Sequence, residues 1–319
     1  MSILIVGGGS IGQRHAKNLR SLGEEVAIVD VNPDRKPDFL SIDSAGAAKQ
    51  FAIAFICSPS RFHVEQAIQC AEQGLHLFVE KPLSHDTKGL RQLLKLVQLR
   101  QLVTMVGSNW KFYPSFQKMK ELLEGGAIGK ILSARCQFGQ YLPDWHPWED
   151  YRKGYSANKK LGGGILLDSH EFDYLPWLLG ERVKSVFCVA AKVSKLEIDV
   201  EDVAEAVLIF DTGAIGEIHV DYIQRVYQRN FEFFGSEGTI RWDIREKQVV
   251  VLRKDHELEL YPMIESYDVN TMYIEEARHF LDCVRSGKKT VTPIETGAKT
   301  LSLICAAKES SRRGKMVNV

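Results

Sequence analysis

The chain has little of what a cross-linked, metal-stapled or membrane-bound scaffold requires. Its six cysteines form no C-x-x-C pair and no zinc-finger spacing. Most lie in apolar runs, as Cys57 does in "FAIAFIC" and Cys305 in "LSLICAA", where a free thiol behaves as a small hydrophobe. That usage suits a reducing compartment. No apolar run is long enough to span a bilayer. Neither sign of charge is in excess: Lys and Arg number 41, as do Asp and Glu. A general electrostatic case for nucleic acid or an anionic membrane surface is therefore missing. Internal repeats and low-complexity segments are absent as well. The opening "MSILIVGGG" has no basic segment and no small-residue cleavage site, so the expected location is the cytoplasm.

What is present is a change of rhythm. Up to about residue 130, short apolar runs alternate with helical stripes. "ILIV", "EVAIVD", "FAIAFICS", "HLFVE" and "LVTMVGS" read as buried strands. Between them, 11–22 reads as a helix, Val64, Ala67, Ile68 and Ala71 share one helical face, and Leu90, Leu93, Leu94 and Val97 form another stripe. Such alternation predicts a doubly wound parallel sheet. Beyond "EGGAIGK" the runs lengthen and alternate apolar with polar, as in "ILSARCQFGQYL", "VKSVFCVAAKV", "DVAEAVLIFD", "AIGEIHVDYI", "NFEFFGS" and "GTIRWDI". They predict a mostly antiparallel sheet with one solvated or partner-covered face. A helix interrupts them at 170–179, and helices return at 273–284 and 297–311. The stretch between Asp30 and Phe51 is short, and "DFLSIDS" reads as a reduced strand.

The first strand runs straight into Gly7-x-Gly9-x-x-Gly12, which opens a helix through Ser10 and Ile11. In that context the glycines have separate tasks: a tight turn, a close approach of backbone to a pyrophosphate, and close packing of helix on strand. The pyrophosphate would meet the free N–H groups of the helix start. Asp30 ends the second strand, placed to accept both ribose hydroxyls. NAD is thus the expected cofactor, with Arg35 and Lys36 leaving NADP as the alternative.

Taken in order, "GGGSIGQRH", "CSPSRFH", "VEKPLS", "KLGGGILLDSHEFDYLPWLLG" and "PIETGAKTLSLICAAKESSRRGK" resemble the glucose–fructose oxidoreductase and inositol dehydrogenase family, Gfo/Idh/MocA. The resemblance covers essentially the whole chain. It implies an α/β protein: an N-terminal Rossmann domain followed by an α+β domain on a large, open, mostly antiparallel sheet. The domains are expected at 1–120, with a C-terminal helix from 295–319 packing back on it, and at 121–294. The implied activity is NAD(P)-dependent oxidation or reduction of CH–OH groups in sugars, inositols and related alcohols. Carried over by position, Lys81 would touch nicotinamide ribose and substrate. Glu80 and Pro82 flank it, while Ser58, Pro59 and His63 would lie beside the cofactor. Family members commonly pair through the second domain's sheet, which implies a homodimer or homotetramer.

The sequence departs from the common pattern in two places, the short stretch between Asp30 and Phe51, where a full helix and strand usually fit, and the spacing of Asp168 and His170. Asp168 and His170 stand two apart, where many members have an Asp and a His four apart. Alignment from the glycines favours Asp168 as the active-site residue; alignment from the helix favours His170. The chemistry asks for a base near its pKa at working pH, which suits His170. Asp168 would orient it, bind a hydroxyl or cap the helix. His170-Glu171-x-Asp173 is not H-E-x-x-H, so no metal is expected. The segment containing Trp145, His146, Trp148, Tyr151, Arg152 and Lys153 is dense in rings and cations, as a substrate loop or an interface would be. Asn109, Trp110, Lys111 and Tyr113 follow the sixth strand, at the ligand end. With Lys159 and Lys160 beside Gly162-Gly163-Gly164, these cations predict an anionic sugar derivative, carboxylated or nucleotide-linked. The resemblance points the same way, toward bacterial surface-sugar biosynthesis. Two rival readings use the same fold: an NAD-dependent glycosidase, and a cofactor-binding sensor without chemistry.

Overall fold

A computed structural model describes every residue except His146, Ile264 and Glu265. Two compact units emerge, Met1–Asn109 with Val269–Leu301, and Trp110–Asp268 with Ser302–Val319.

The first unit alternates β1 (Ser2–Val6), α1 (Ser10–Ser21), β2 (Glu25–Val29), α2 (Ile42–Ala48), β3 (Ile53–Ile56), α3 (His63–Glu72), β4 (His76–Val79), α4 (Leu90–Leu99) and β5 (Thr104–Val106). Among the described residues the strands form one parallel sheet in the order β2-β1-β3-β4-β5. Ile3, Leu4 and Ile5 are wholly buried. A strand covered on both faces has no polar side to alternate with, so its run is continuously apolar. Leu90, Leu93 and Val97 bury the stripe of α4, and Gly74 follows α3 at a positive φ, as a C-terminal stop requires.

The stretch after Asp30 departs from expectation. Phe39 makes a single parallel bridge to Val29. Ser41 and Ser44 then form a reciprocal capping box, so the polar half of "DFLSIDS" starts helix α2 instead of completing a strand.

The second unit holds α5 (Pro114–Glu124), β6 (Ile131–Gly139), α6 (Ile165–Asp168), α7 (Glu171–Leu179), β7 (Val183–Ala191), β8 (Val203–Phe210), β9 (Ile215–Asp221), β10 (Gln228–Gly235), β11 (Thr239–Asp243), β12 (Gln248–Leu252) and β13 (Glu259–Pro262). The chain ends through α8 (Asn270–Ser286), α9 (Ile294–Arg313) and β14 (Val317–Asn318). Among the described residues one sheet runs β13-β12-β11-β10-β6-β9-β8-β7-β14. Only the β6–β9 pairing in it is parallel. Helices α5 and α7 cover one face, where Phe116 meets Trp242 and Phe231 at 5.2 Å and Tyr174 at 5.3 Å, ring to ring. The opposite face leaves Val189, Val207 and Ile215 exposed.

The expected boundary at 120 falls instead between Asn109 and Trp110. Trp110 packs on Tyr113 and Phe116, inside the second core. The tail also divides differently from the expected 295–319. Helix α8 joins the first unit, with Asn270 and Asn18 exchanging side-chain hydrogen bonds and the Arg14 guanidinium 4.5 Å above the Tyr273 ring. The end of α9 belongs to the second, where Ser310 Oγ accepts the Cys188 N–H at 2.9 Å. No helix among the described residues is long and apolar enough to cross a membrane.

Candidate active site

In the first unit the expected residues gather at the carboxyl ends of β1–β4. Gly7 has φ +105°, and a Cβ there would lie 2.7 Å from the Ser58 nitrogen. A Cβ on Gly12 would come within 1.9 Å of the Gly7 carbonyl oxygen. Both positions thus demand glycine, one for its dihedral and one for close packing. At Gly9, by contrast, the only neighbour among the described residues within 4 Å of an added Cβ is the Arg35 guanidinium, at 3.8 Å. Gly9 caps α1 without any side-chain bond, and no acidic residue stands in the first turn. An open backbone at a helix start free of negative charge fits a dinucleotide pyrophosphate.

Asp30 is nearly buried and accepts from Gly8 N at 2.7 Å, Asn32 N at 2.8 Å and Arg35 Nη1 at 2.7 Å. Burial pushes its carboxyl up, but the Asn32 N–H, the Arg35 guanidinium and the Gly8 N–H outweigh that and hold it below the usual range. The two residues read as alternative phosphate and ribose ligands are therefore one ion pair.

His63 bridges two turns. Its Nε2 lies 2.7 Å from the Ser58 carbonyl oxygen and its Nδ1 2.9 Å from that of Pro82. Burial draws its pKa down further than the Ser58 and Pro82 carbonyls draw it up. Ser58 donates to Gln66 Oε1 at 2.6 Å, beside Pro59. Lys81 is half-buried and precedes the cis bond to Pro82. Glu80 reaches His15 with one oxygen and the Lys81 N–H with the other, at 2.6 and 3.2 Å. Burial pushes its carboxyl up, and the His15 bond, with help from His63 and the Lys81 N–H, brings it below the ordinary value. Asn109 is buried, and Ser108 N donates to Glu276.

In the second unit Asp168 and His170 differ in character. Asp168 is buried and accepts from Ser156 Oγ at 2.6 Å, Tyr222 Oη at 3.0 Å and Tyr155 Oη. The fully buried Tyr222 phenol is pushed well up by burial and then by the Asp168 charge. The His170 ring stacks on Tyr174, centroids 5.1 Å apart, with Nδ1 2.9 Å from Tyr174 Oη. Tyr174 Oη also accepts the Trp110 N–H at 3.3 Å.

The carboxylates of "HEFD" are each committed to a cation. Glu171 is wholly buried; it accepts the His170 N–H at 2.9 Å and lies 2.9 Å from Arg229 Nε. Arg229, also buried, sits between the Trp110 and Phe138 rings, 4.6 and 4.5 Å from their centroids. Asp173 pairs with the buried Lys111 at 2.9 Å. Sequence reasoning missed Glu171, Arg229 and Lys111 as a network. The one available signal was Arg229 falling on an inward position of an alternating strand. Among the described residues no group of three or more His, Cys, Asp or Glu side chains is arranged to hold a metal ion.

The aromatic loop is mixed. Trp145 donates to the Gln140 carbonyl and packs on Tyr222 and Phe138. Trp148 is 75% exposed. The Tyr151 hydroxyl accepts the Glu197 N–H. Arg152 is clamped by Asp150 through two nitrogens, at 2.7 and 3.2 Å, and by Glu197 at 3.1 Å. Any anion bound there would have to displace a carboxylate. His146 lies outside the described residues.

Comparison with known proteins agrees with this division. Residues 1–108 match the oxidoreductase family with an NAD-binding Rossmann fold, and residues 116–241 match the GFO/IDH/MocA C-terminal domain. The myo-inositol 2-dehydrogenase of Thermotoga maritima is 32% identical over 100% of this chain and 98% of its own length. GenD2 of gentamicin A biosynthesis, solved with NAD, is 24% identical with a TM-score of 0.86, covering 100% of this chain and 96% of that one. Levoglucosan dehydrogenase, solved with NADH, is 22% identical with a TM-score of 0.87, covering 100% and 99%. These last two likenesses speak for the fold.

Proposed function

The chain belongs to the GFO/IDH/MocA oxidoreductase family, and from that premise we propose that it oxidises a secondary alcohol of a sugar or cyclitol, or reduces the matching ketone. The observation that carries this reading is Lys81 at the carboxyl end of β4, its peptide tied to Glu80, in the unit built around the glycine turn. Bound NAD supplies the hydride acceptor. The open backbone at Gly9 and the helix start of α1 would hold its pyrophosphate, and Asp30 its ribose hydroxyls. That carboxylate favours NAD over NADP; Arg35, released from Asp30, would favour the reverse.

Lys81 orients the substrate hydroxyl and His170 takes its proton. For that task the His170 proton sits on Nδ1, donated to Tyr174 Oη, and the basic lone pair on Nε2. Asp168 holds Tyr155, Ser156 and Tyr222 in place. Absorbance at the NADH band with a panel of inositols and hexoses tests the reaction. Lys81→Ala should lower kcat by about 10²-fold or more while NAD still binds. Near-normal turnover in that variant removes the role. Sugar release at constant absorbance would favour the glycosidase instead.

Two finer readings accompany this one. Lys153, Lys159 and Lys160 near the 162–164 glycines favour an anionic or nucleotide-linked substrate. The substrate anion would displace Asp150 and Glu197 from Arg152, so Arg152→Ala should raise KM for an acidic sugar by about tenfold; equal turnover of neutral inositol and no effect of the substitution would refute it. The exposed Val189, Val207 and Ile215 on neighbouring strands favour a second copy of the chain against this face, and so a dimer or tetramer. Light scattering that finds a monomer at micromolar concentration removes that. The cytoplasm is the proposed location.

A further inference from the structure

We propose that His15 is a positioning residue for the reaction: through Glu80 it holds the peptide of Lys81 at the end of β4. The inference rests on the role given to Lys81 above.

His15 projects from α1 with no exposed surface. Its ring lies 5.3 Å from Phe55, 5.2 Å from Phe78 and 6.3 Å from Tyr273, centroid to centroid. In these surroundings an imidazole is a costly choice. Among the described residues Nδ1 is buried without a hydrogen-bond partner, and a buried polar atom left so destabilises the fold. An apolar side chain of similar size would pack there without that cost, so packing does not account for the histidine.

The other nitrogen does. Nε2 stands 2.6 Å from Glu80 Oε1. Glu80 is held in its ionised form, which only accepts, so Nε2 must be the donor. The second carboxylate oxygen takes the Lys81 N–H at 3.2 Å. Glu80 has little room to turn: a Cβ on Gly107 would lie 3.0 Å from Oε2. One carboxylate thus spans from α1 to the first peptide beyond β4. Take away the His15 donor and a partly buried charge loses its main partner. The carboxylate then turns toward water, and the peptide that carries the Lys81 side chain is released. A displacement of about 1 Å at such a group costs roughly 10²-fold in rate.

The test compares His15→Phe, which fills the space without a donor, with His15→Gln, whose amide can donate at similar reach. Each is made in the wild-type chain and in Lys81→Ala. Melting temperature, hydrogen exchange of peptides covering 80–83, and kcat and KM with NAD and the alcohol best turned over in the panel are measured. The expected result for His15→Phe is a melting temperature at or above wild type, faster exchange at 80–83, and kcat down about tenfold or more with KM for NAD little changed. His15→Gln recovers exchange and kcat. In the Lys81→Ala background His15→Phe adds no further loss. Unchanged exchange, unchanged kcat, or an equal loss of kcat in both backgrounds overturns the proposal. Near-normal turnover of Lys81→Ala alone instead defeats the reading on which it rests. Should His15→Phe fail to fold, His15→Met is read in the same way.

Discussion

At the nucleotide end the shape is carried by backbone, whereas the cluster around His170 is carried by side chains that meet from separate elements. Gly7 and Gly12 leave no space for a Cβ, and α1 opens at Gly9 with peptide N–H groups and no side-chain cap. Around His170 the groups come from the 155–156 turn, α6, α7, β10 and the residue following β9. A backbone site is local and fails by steric conflict. A side-chain site is distributed and fails when one member leaves another buried without its partner.

The largest effect expected from that contrast is at Arg229. Arg229→Met strands the buried Glu171 charge and should cost about 3–5 kcal/mol, with Glu171→Gln on top of it recovering much of the loss. Denaturant melts of the single and double variants measure this, and a mild single variant would mean that water reaches Glu171. Next comes Gly12→Ala, which must push the Gly7 carbonyl away. It should cost about 1–3 kcal/mol and weaken NAD binding strongly, read by melting and by fluorescence titration. A stable, NAD-binding Gly12→Ala would show that the backbone site yields as easily as the other.

Asp168 and His170 sharpen the comparison within one cluster. Asp168→Asn replaces one of the two oxygens that accept three hydroxyls with a donor, and should lose about 1–3 kcal/mol of stability. His170→Ala should leave melting nearly unchanged and lower kcat by about 10²-fold. The opposite pattern would make Asp168 the base.

The smallest effects are in pH dependence. The depressed Asp30 stabilises the fold above its ordinary value of 3.8, and that contribution is lost as pH falls through the lower folded value. Arg35→Ala should move this acid limb upward. His219, bonded to Asp221 and, against the cost of burial, to Glu205, is raised to about 9. Its contribution is whole below its ordinary 6.5 and is lost as pH rises through about 9. His219→Gln should flatten melting temperature against pH over that interval. An unchanged alkaline limb would show that the cluster on this sheet carries no stability.

Legibility followed the same contrast. The strands of the first unit, the glycine turn and the inward alternation of β8 and β9 were readable, because period and turn chemistry are local properties of the chain. The tie of Asp30 to Arg35 was not, since proximity in sequence allowed either residue to meet the ligand alone. Arg152 looked like a bare cation until Glu197, distant in sequence, was seen against it. His15 stood in a recognised motif without a task, because its partner Glu80 comes from a distant part of the chain, just after β4.

By itself, then, the sequence determined the order and type of most elements, the dinucleotide turn and the family. Each rests on patterns within a few residues, where dihedral limits and apolar periodicity act. Tertiary structure alone decided which polar side chains are spent on one another: Asp30 with Arg35, Glu171 with Arg229, Asp173 with Lys111 and Glu80 with His15. It also decided the division of the chain between the two units. Such pairings depend on which side chains burial brings within about 3 Å of each other, and no spacing along the chain encodes that distance.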